Sequence, residues 1–463
     1  MRTTTPLEES AAAMQTRAAS VLTRAARPWL DRAAAPTVAS QGAGRDQSLI
    51  GDGQEVVLAA AVGWDGHAHD KYEQSLDLYL FGRPVSSYWE PIWQGKPLVL
   101  HDKQLVLATE YLGRCHEGEV MDLSEEINAI LNNHPGPIAY FRVDSSTWKD
   151  ARGQLISWVK ILSNKRAEEV VIINLSHKSD LAFPIEDLQS PNLRCLRLAF
   201  LKIPDLDLFV FDYSSLRELQ LLCCSYDGRR LSWVINDCAS LQHLIIGFSV
   251  ENLKISSKSL VTLQLLQCTA SWLVIDSAPN LWLLATGVMP RRGYASVSIS
   301  LNDTPSLKRF TYLLLPFHQV NDYIYLTSVE NLRLGLNMAT RAQRSGLRKI
   351  LECLPMLSHL VIWRMDEVAS DELIDVVLDG SFDDLNNVTC VGMRLRYFEI
   401  EDFRGGPAEL NIVRSILRHA FHLVKLSTER CITRSREDFR KYCLKRNCEM
   451  KQRLQLTVFT IIN

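Results

Sequence analysis

The residue groupings whose types and spacing could do chemistry are few, and each lacks a part that its chemistry needs. His67-Ala-His69-Asp70 offers imidazole and carboxylate ligands to a metal, but they are near neighbours in one short stretch, whereas a coordination sphere needs ligands held in fixed positions. His116-Glu117 begins the zinc-protease pattern, yet Met121 stands near the place where helical spacing requires a second histidine. Gly42-Ala-Gly44 lacks the third glycine and the preceding strand of a dinucleotide-binding loop. Neither the phosphate-cradling P-loop pattern nor the serine nucleophile elbow occurs. Cys431, Cys443 and Cys448 come nearest to a metal cluster, without a histidine beside them to complete a tetrahedral set. The expectation is a protein that is not an enzyme and has no catalytic residue, cofactor site or metal site.

Composition bounds the remaining options. The 463 residues are 47% hydrophobic and 22% charged, ordinary values for a folded chain, with a formal net charge of -2. So balanced a charge gives no long-range field for nucleic acid or anionic lipid. The cluster Lys441, Lys445 and Arg446 reads as a solvated helix face. The eleven cysteines are scattered apart from Cys223-Cys224, with no CxxC pair, and read as reduced, mostly buried thiols of the cytoplasm or nucleus. No run of eighteen apolar residues is present, so no membrane-spanning helix is expected. The three N-x-S/T triplets at Asn174, Asn302 and Asn387 are read as chance. At the N-terminus, Arg17, Arg24, Arg27 and Arg32 outnumber Glu8, Glu9 and Asp31 in an alanine-rich stretch, read as a disordered leader with an organelle-import signal as the alternative.

The elements that organise the chain lie in its middle. From about residue 169 to 366 one phrase recurs, an apolar residue followed after two spacers by another, and after one spacer by a third. The clearest copies begin at Leu193, Leu216, Leu241 and Leu260, and looser ones at Leu281, Leu307, Val329 and Leu357. The intervals are 23, 25, 19, 21, 26, 22 and 28 residues, close to the roughly 20–29 residues of leucine-rich repeats. Val170 to Leu175 adds an earlier strand. Each unit predicts a short strand whose alternate residues point into a stack, followed by a return segment that buries more apolar surface. Ser190-Pro191-Asn192, Ala278-Pro279-Asn280 and Thr304-Pro305-Ser306 place turn formers just before the strands.

The predicted fold class is therefore α/β, a horseshoe-like leucine-rich repeat solenoid with irregular repeats. The strand spacers Arg197, Glu218, Gln220, His243, Thr262, Gln264, Arg333 and His359 are expected on its concave face and are the candidate partner-binding residues. A protein partner is expected there.

Downstream, Leu395, Phe398 and Ile400 form a strand pattern, followed by Phe403, Gly405-Gly406 and a helix with Pro407 in its first turn. Leu410, Val413, Ile416, Leu417 and Ala420 lie on one face of that helix, and Leu423 and Leu426 open a further strand. This stretch closely resembles the FBD module that ends many plant F-box/leucine-rich repeat proteins, and the segments Arg436 to Lys445 and Leu454 to Ile461 continue the resemblance more loosely. Upstream, Trp89, Ile92, Trp93, Pro97 and Leu98 resemble the closing part of an F-box. Its opening, a leucine-proline-acidic start, is absent, Tyr88 replaces the basic residue before the first tryptophan, and Pro91 interrupts the helix.

The resemblance implies a substrate receptor of a Skp/cullin/F-box ubiquitin ligase, with a Skp-type adaptor as second partner if the incomplete F-box still docks. A repeat protein that has lost ligase docking is the alternative. The expected organisation is a leader at 1–70, an F-box remnant and linker at 71–115, the repeat array at 116–375 and an FBD-like α+β cap at 376–463.

Overall fold

The computed structural model describes residues 79–80, 83–84 and most of 96–428, apart from connecting stretches of which the longest are 106–121, 313–325 and 365–384. The expected leader, His67-His69-Asp70, Gly42-Gly44, His116-Glu117, Trp89, Ile92 and Trp93 lie outside the described residues, as do Cys431, Cys443, Cys448, the Lys441 cluster and Leu454 to Ile461.

One thirteen-stranded sheet runs through the described chain, and its spatial order is its sequence order. Its strands are β1 (Leu98–His101), β2 (Ile138–Val143), β3 (Glu169–Ile173), β4 (Cys195–Ala199), β5 (Glu218–Leu222), β6 (His243–Gly247), β7 (Thr262–Leu266), β8 (Leu283–Thr286), β9 (Arg309–Tyr312), β10 (Asn331–Leu336), β11 (His359–Arg364), β12 (Tyr397–Glu401) and β13 (Lys425–Thr428). Every neighbouring pair is parallel. The repeats therefore build an α/β fold in which each unit adds one strand to the edge left by the last.

Register follows the repeated phrase. The second apolar residue of each unit is directly opposite its counterpart, from Leu196 through Leu219, Leu244 and Leu263 to Leu284. The same row continues through Phe310, Leu332 and Leu360 to Phe398 and Leu426, and backwards through Val170 and Phe141 to Leu100. All of these side chains are buried. The first apolar residue of most units closes a turn, its N–H donating to the carbonyl three residues back, as in Leu193 to Ser190, Leu281 to Ala278, Leu307 to Thr304 and Leu357 to Leu354. Pro191, Pro279, Pro305 and Pro355 occupy the second turn position, where their fixed φ is already correct.

Outside the repeated phrase the units differ. Helices return the chain at α1 (Ser124–Asn133), α2 (Ala151–Asn164), α3 (Gly228–Asp237), α4 (Arg341–Glu352), α5 (Thr389–Met393) and α6 (Pro407–His419). Asp227 caps α3 by accepting from the N–H groups of Arg229 and Arg230 at 2.8 and 3.4 Å. Lys165 donates to the carbonyls of Leu131 and His134, satisfying the C-terminal end of α1. On α6, Ile412, Val413 and Ile416 are buried, with Ala420 just past its end, and Leu410 and Leu417 flank them, so the apolar face is turned slightly from the expected one to include Ile412. Between β6 and β9 the returns are extended instead. Leu253–Ser256, Trp272–Ser277 and Ser298–Asp303 form a separate three-stranded parallel sheet. Alternation explains it: Leu253 and Ile255 are buried while Lys254 and Ser256 are exposed, a period of two that a helix cannot place on one face.

Two details extend the repeat beyond its leucines. Phe200, Cys223 and Phe248 each follow a strand directly and have φ of 56°, 51° and 57°. In that conformation their N–H groups donate to Leu222, Gly247 and Leu266 on the next strand, at 3.0, 2.9 and 2.8 Å. Cys224 and Cys268, nine positions into their units, direct their thiols at the carbonyls of Leu198 and Ile246, each one unit back. Burial pushes the Cys224 thiol up to about 12 and, with Cys268 beside it, the Cys223 thiol likewise to about 12.

The sheet is continuous from β1 to β2 and from β11 to β12, and the boundary positions expected at 115/116 and 375/376 lie outside the described residues.

Two outcomes follow from this core. Leu263→Ala, at a fully buried position in the middle of the row, should lower unfolding free energy by about 2–5 kcal/mol in urea titrations, whereas Gln264→Ala on the opposite face should stay within about 0.5 kcal/mol. An unfolded chain releases its thiol protons near pH 9.0, while folded Cys223 and Cys224 hold theirs to about 12. Stability is therefore fully present below pH 9 and falls as pH rises through that window. The urea midpoint should drop as pH is raised from ~9 to ~10.5, and by less in Cys224→Ala.

Candidate functional site

Because side chains alternate along a strand, the spacers of the repeated phrase share the face opposite the leucine row. Two rows result. The first carries Glu218, His243 and Thr262, then Leu283, Arg309, Asn331, His359 and Tyr397. The second carries Arg197, Gln220, Ile245 and Gln264, then Ala285, Thr311, Arg333 and Val361. All eight spacers singled out from the sequence fall in these rows. They divide between two stretches, with Arg197, Glu218, Gln220, His243, Thr262 and Gln264 on β4 to β7 and Arg333 and His359 on β10 and β11.

Several of them hold one another. Arg197 donates to both carboxylate oxygens of Glu218, at 2.7 and 3.2 Å, across the β4–β5 pair. His243 Nδ1 lies 2.9 Å from Thr262 Oγ1, its direct neighbour in register. Gln220 is buried, whereas Gln264 is half-buried and takes part in none of these contacts. His359 stacks on Tyr397 with ring centroids 4.2 Å apart and planes 13° from parallel, and its Nδ1 lies 2.8 Å from Ser358 Oγ. Burial, reinforced by the guanidinium groups of Arg309 and Arg396 and opposed by Glu330, holds the His359 imidazole below its ordinary pKa. At neutral pH this position is therefore an uncharged aromatic surface.

Arg333 reaches over β11 to Glu401 on β12, with Nη2 2.5 Å from Oε2, and its guanidinium lies 5.8 Å from the Trp363 ring centroid. The two side chains are only 15% and 6% exposed, against 22% and 24% for Arg197 and Glu218. Arg309, which the sequence reading passed over, sits 4.6 Å from the centroid of Trp282. Arg309 and Tyr397 occupy the same phrase position as Glu218 and His243, so counting spacers through every loose unit would have found them.

At the other end of the sheet, His101, Asp102 and Asp144 bring ligand-type atoms within 4.8 Å of one another. Arg142 already donates to Asp144 Oδ2 at 2.7 Å through Nε, His101 Nε2 is 3.1 Å from Asp144 Oδ1, and Asp102 accepts the Asp144 backbone N–H at 3.1 Å. These contacts join β1 to β2, and a cation would have to displace the guanidinium from its carboxylate. Of the F-box-like residues, Pro97 precedes β1, and Leu98 opens it as a buried sheet residue.

Residues 155–362, from α2 to β11, match the family model for the leucine-rich repeats of FBD-associated F-box protein At5g56370. No curated protein matches the chain. No helix among the described residues is long and apolar enough to cross a membrane.

Exposure separates the two cross-strand pairs. Removing one partner of the buried pair strands a charge, so Glu401→Ala should cost about 3–5 kcal/mol in urea unfolding. Glu218→Ala, at the more open pair, should cost about 1 kcal/mol or less.

Proposed function

We propose that this chain is a non-enzymatic protein-recognition scaffold of the F-box-associated leucine-rich repeat kind, stacked as a solenoid, whose spacer rows bind a partner protein. The observation that carries the reading is the recurrence, strand after strand, of polar and aromatic side chains in register opposite the core, over the stretch that resembles F-box-associated repeats. A face assembled from short strands recognises by the pattern of side chains it presents, and that pattern here has ion-paired, neutral-polar and aromatic sections. The middle section, around His243, Thr262 and Gln264, is free of the strong ion pairs that occupy Arg197 and Arg333, so it is the section most available to a partner.

In this reading the chain resembles the substrate receptor of a Skp/cullin/F-box ubiquitin ligase. The ligation chemistry belongs to other subunits, and the setting is the cytoplasm or nucleus. A second reading, a repeat protein that has lost ligase docking, is favoured by the missing F-box opening and by Pro91 between Trp89 and Trp93.

Co-expression of the full chain with a Skp-type adaptor separates the two. Co-purification supports the receptor, whereas no complex under conditions where an intact F-box relative binds leaves only the scaffold. For the scaffold itself, proximity labelling in cells should enrich a set of proteins that the variant Thr262→Arg/Gln264→Arg loses while keeping its thermal midpoint. An unchanged set would remove the middle of the open face from the proposal.

A further inference from the structure

We propose that the rim where β12 and β13 begin is a separate docking surface, for an acidic segment of a partner protein anchored by apolar side chains. The sites of strongest apolar exposure point there. Of the eight large hydrophobic residues exposed among the described residues, four are Met393, Tyr397, Phe421 and Val424, and Phe421 at 71% and Met393 at 67% are the most exposed of all. They converge in space as well as in sequence. The N–H groups of Val424 and Lys425 both donate to the Arg396 carbonyl, at 2.8 and 3.0 Å, and Tyr397 is in register with Lys425. Met393 ends α5 and Phe421 follows α6, and these helices touch closely enough that a Cβ on Gly392 would lie 3.8 Å from the His419 carbonyl oxygen. Single exposed apolar residues are ordinary, but a contiguous group with polar neighbours marks an interaction site.

Charge selects the partner. Arg394, Arg396, His422 and Lys425 are exposed on the same rim, and none takes part in an ion pair among the described residues. Several cations elsewhere, Arg142, Arg194, Arg197, Lys254, Lys308 and Arg333, instead have a carboxylate within 4.0 Å. The chain's own residues 429–463 are a poor complement, because they carry nine Lys or Arg against four Asp or Glu. Methionine and phenylalanine together give an adaptable apolar contact, suited to the side chains of an amphipathic segment. The surface adjoins the open face at Tyr397, which stacks on His359, and at Lys425 in register with it, while Met393, Phe421, Val424, Arg394, Arg396 and His422 lie outside the two spacer rows.

The test uses the full chain and a short fluorescein-labelled peptide in which phenylalanine and leucine alternate with aspartate and glutamate, followed by fluorescence anisotropy. Binding should weaken with added salt, and should fall at least about tenfold for the same peptide with its acids replaced by amides. Arg396→Glu/Phe421→Asp should lose at least about tenfold in affinity with an unchanged thermal midpoint, both side chains being exposed. Lys425→Glu alone provides a milder variant should the double one unfold, and Trp233→Asp, on an exposed site far away in sequence, should bind normally. The proposal is overturned if the full chain does not bind the acidic peptide, if the amide peptide binds equally, or if both rim variants bind as the parent does. Retention on phosphatidylserine vesicles or a single-stranded oligonucleotide that the peptide fails to compete away would equally replace this partner with another.

Discussion

The structure depends on one row of apolar side chains, from Leu100 to Leu426, held in register across parallel strands. Strand side chains alternate between faces, so slipping any one strand by a single residue would send its leucines into solvent and its spacers into the core. Backbone bonds fix the same register independently. The carbonyls of Arg194, Arg217, Gln242, Val261, Trp282, Lys308, Glu330, Ser358 and Arg396 each accept two successive N–H groups from the following unit. The side-chain row and the backbone staircase agree at each of these steps, and agreement between levels lets unequal repeats share one sheet.

Legibility in the sequence followed the same division. Units beginning at Leu193, Leu216, Leu241 and Leu260 could be read directly because three apolar residues at fixed offsets leave little alternative to a strand entering a stack. The strand, glycine stop and helix from Leu395 to Ala420 were readable for a similar reason, since Gly405 adopts φ 75° and Glu409 reaches back to the Gly406 N–H at 2.8 Å. The returns were less legible. Lys254 and Ser256 alternate with Leu253 and Ile255 over only four residues, too short a run to separate from a loop by pattern alone. The first two strands carry only part of the phrase, so β1 and β2 did not announce themselves as repeats.

The candidate face was legible as a list of positions and opaque as a set of contacts. Spacing alone places Arg197, Glu218 and Gln264 on one side of the sheet. That Arg197 and Glu218 hold each other while Gln264 makes no such contact depends on which neighbours stand opposite after folding. Arg333 and Glu401 are 68 positions apart and two strands apart, beyond any local periodicity. Cys224 and Cys268 were readable in principle: continuing the count past the third apolar residue reaches the position where a small buried donor binds the previous unit. Judged as thiols, they looked scattered; judged as repeat positions, they are ordered.

A sheet whose spatial order is its chain order couples each unit mainly to its neighbours, so its ends should fray before its middle. The Arg333–Glu401 bond departs from that rule because it crosses β11, over the Trp363 ring, to join β10 to β12. It couples the opening of β12 directly to β10 in an otherwise nearest-neighbour chain. Slow amide exchange would then extend as one plateau across the three strands, with protection stepping down only beyond Glu401.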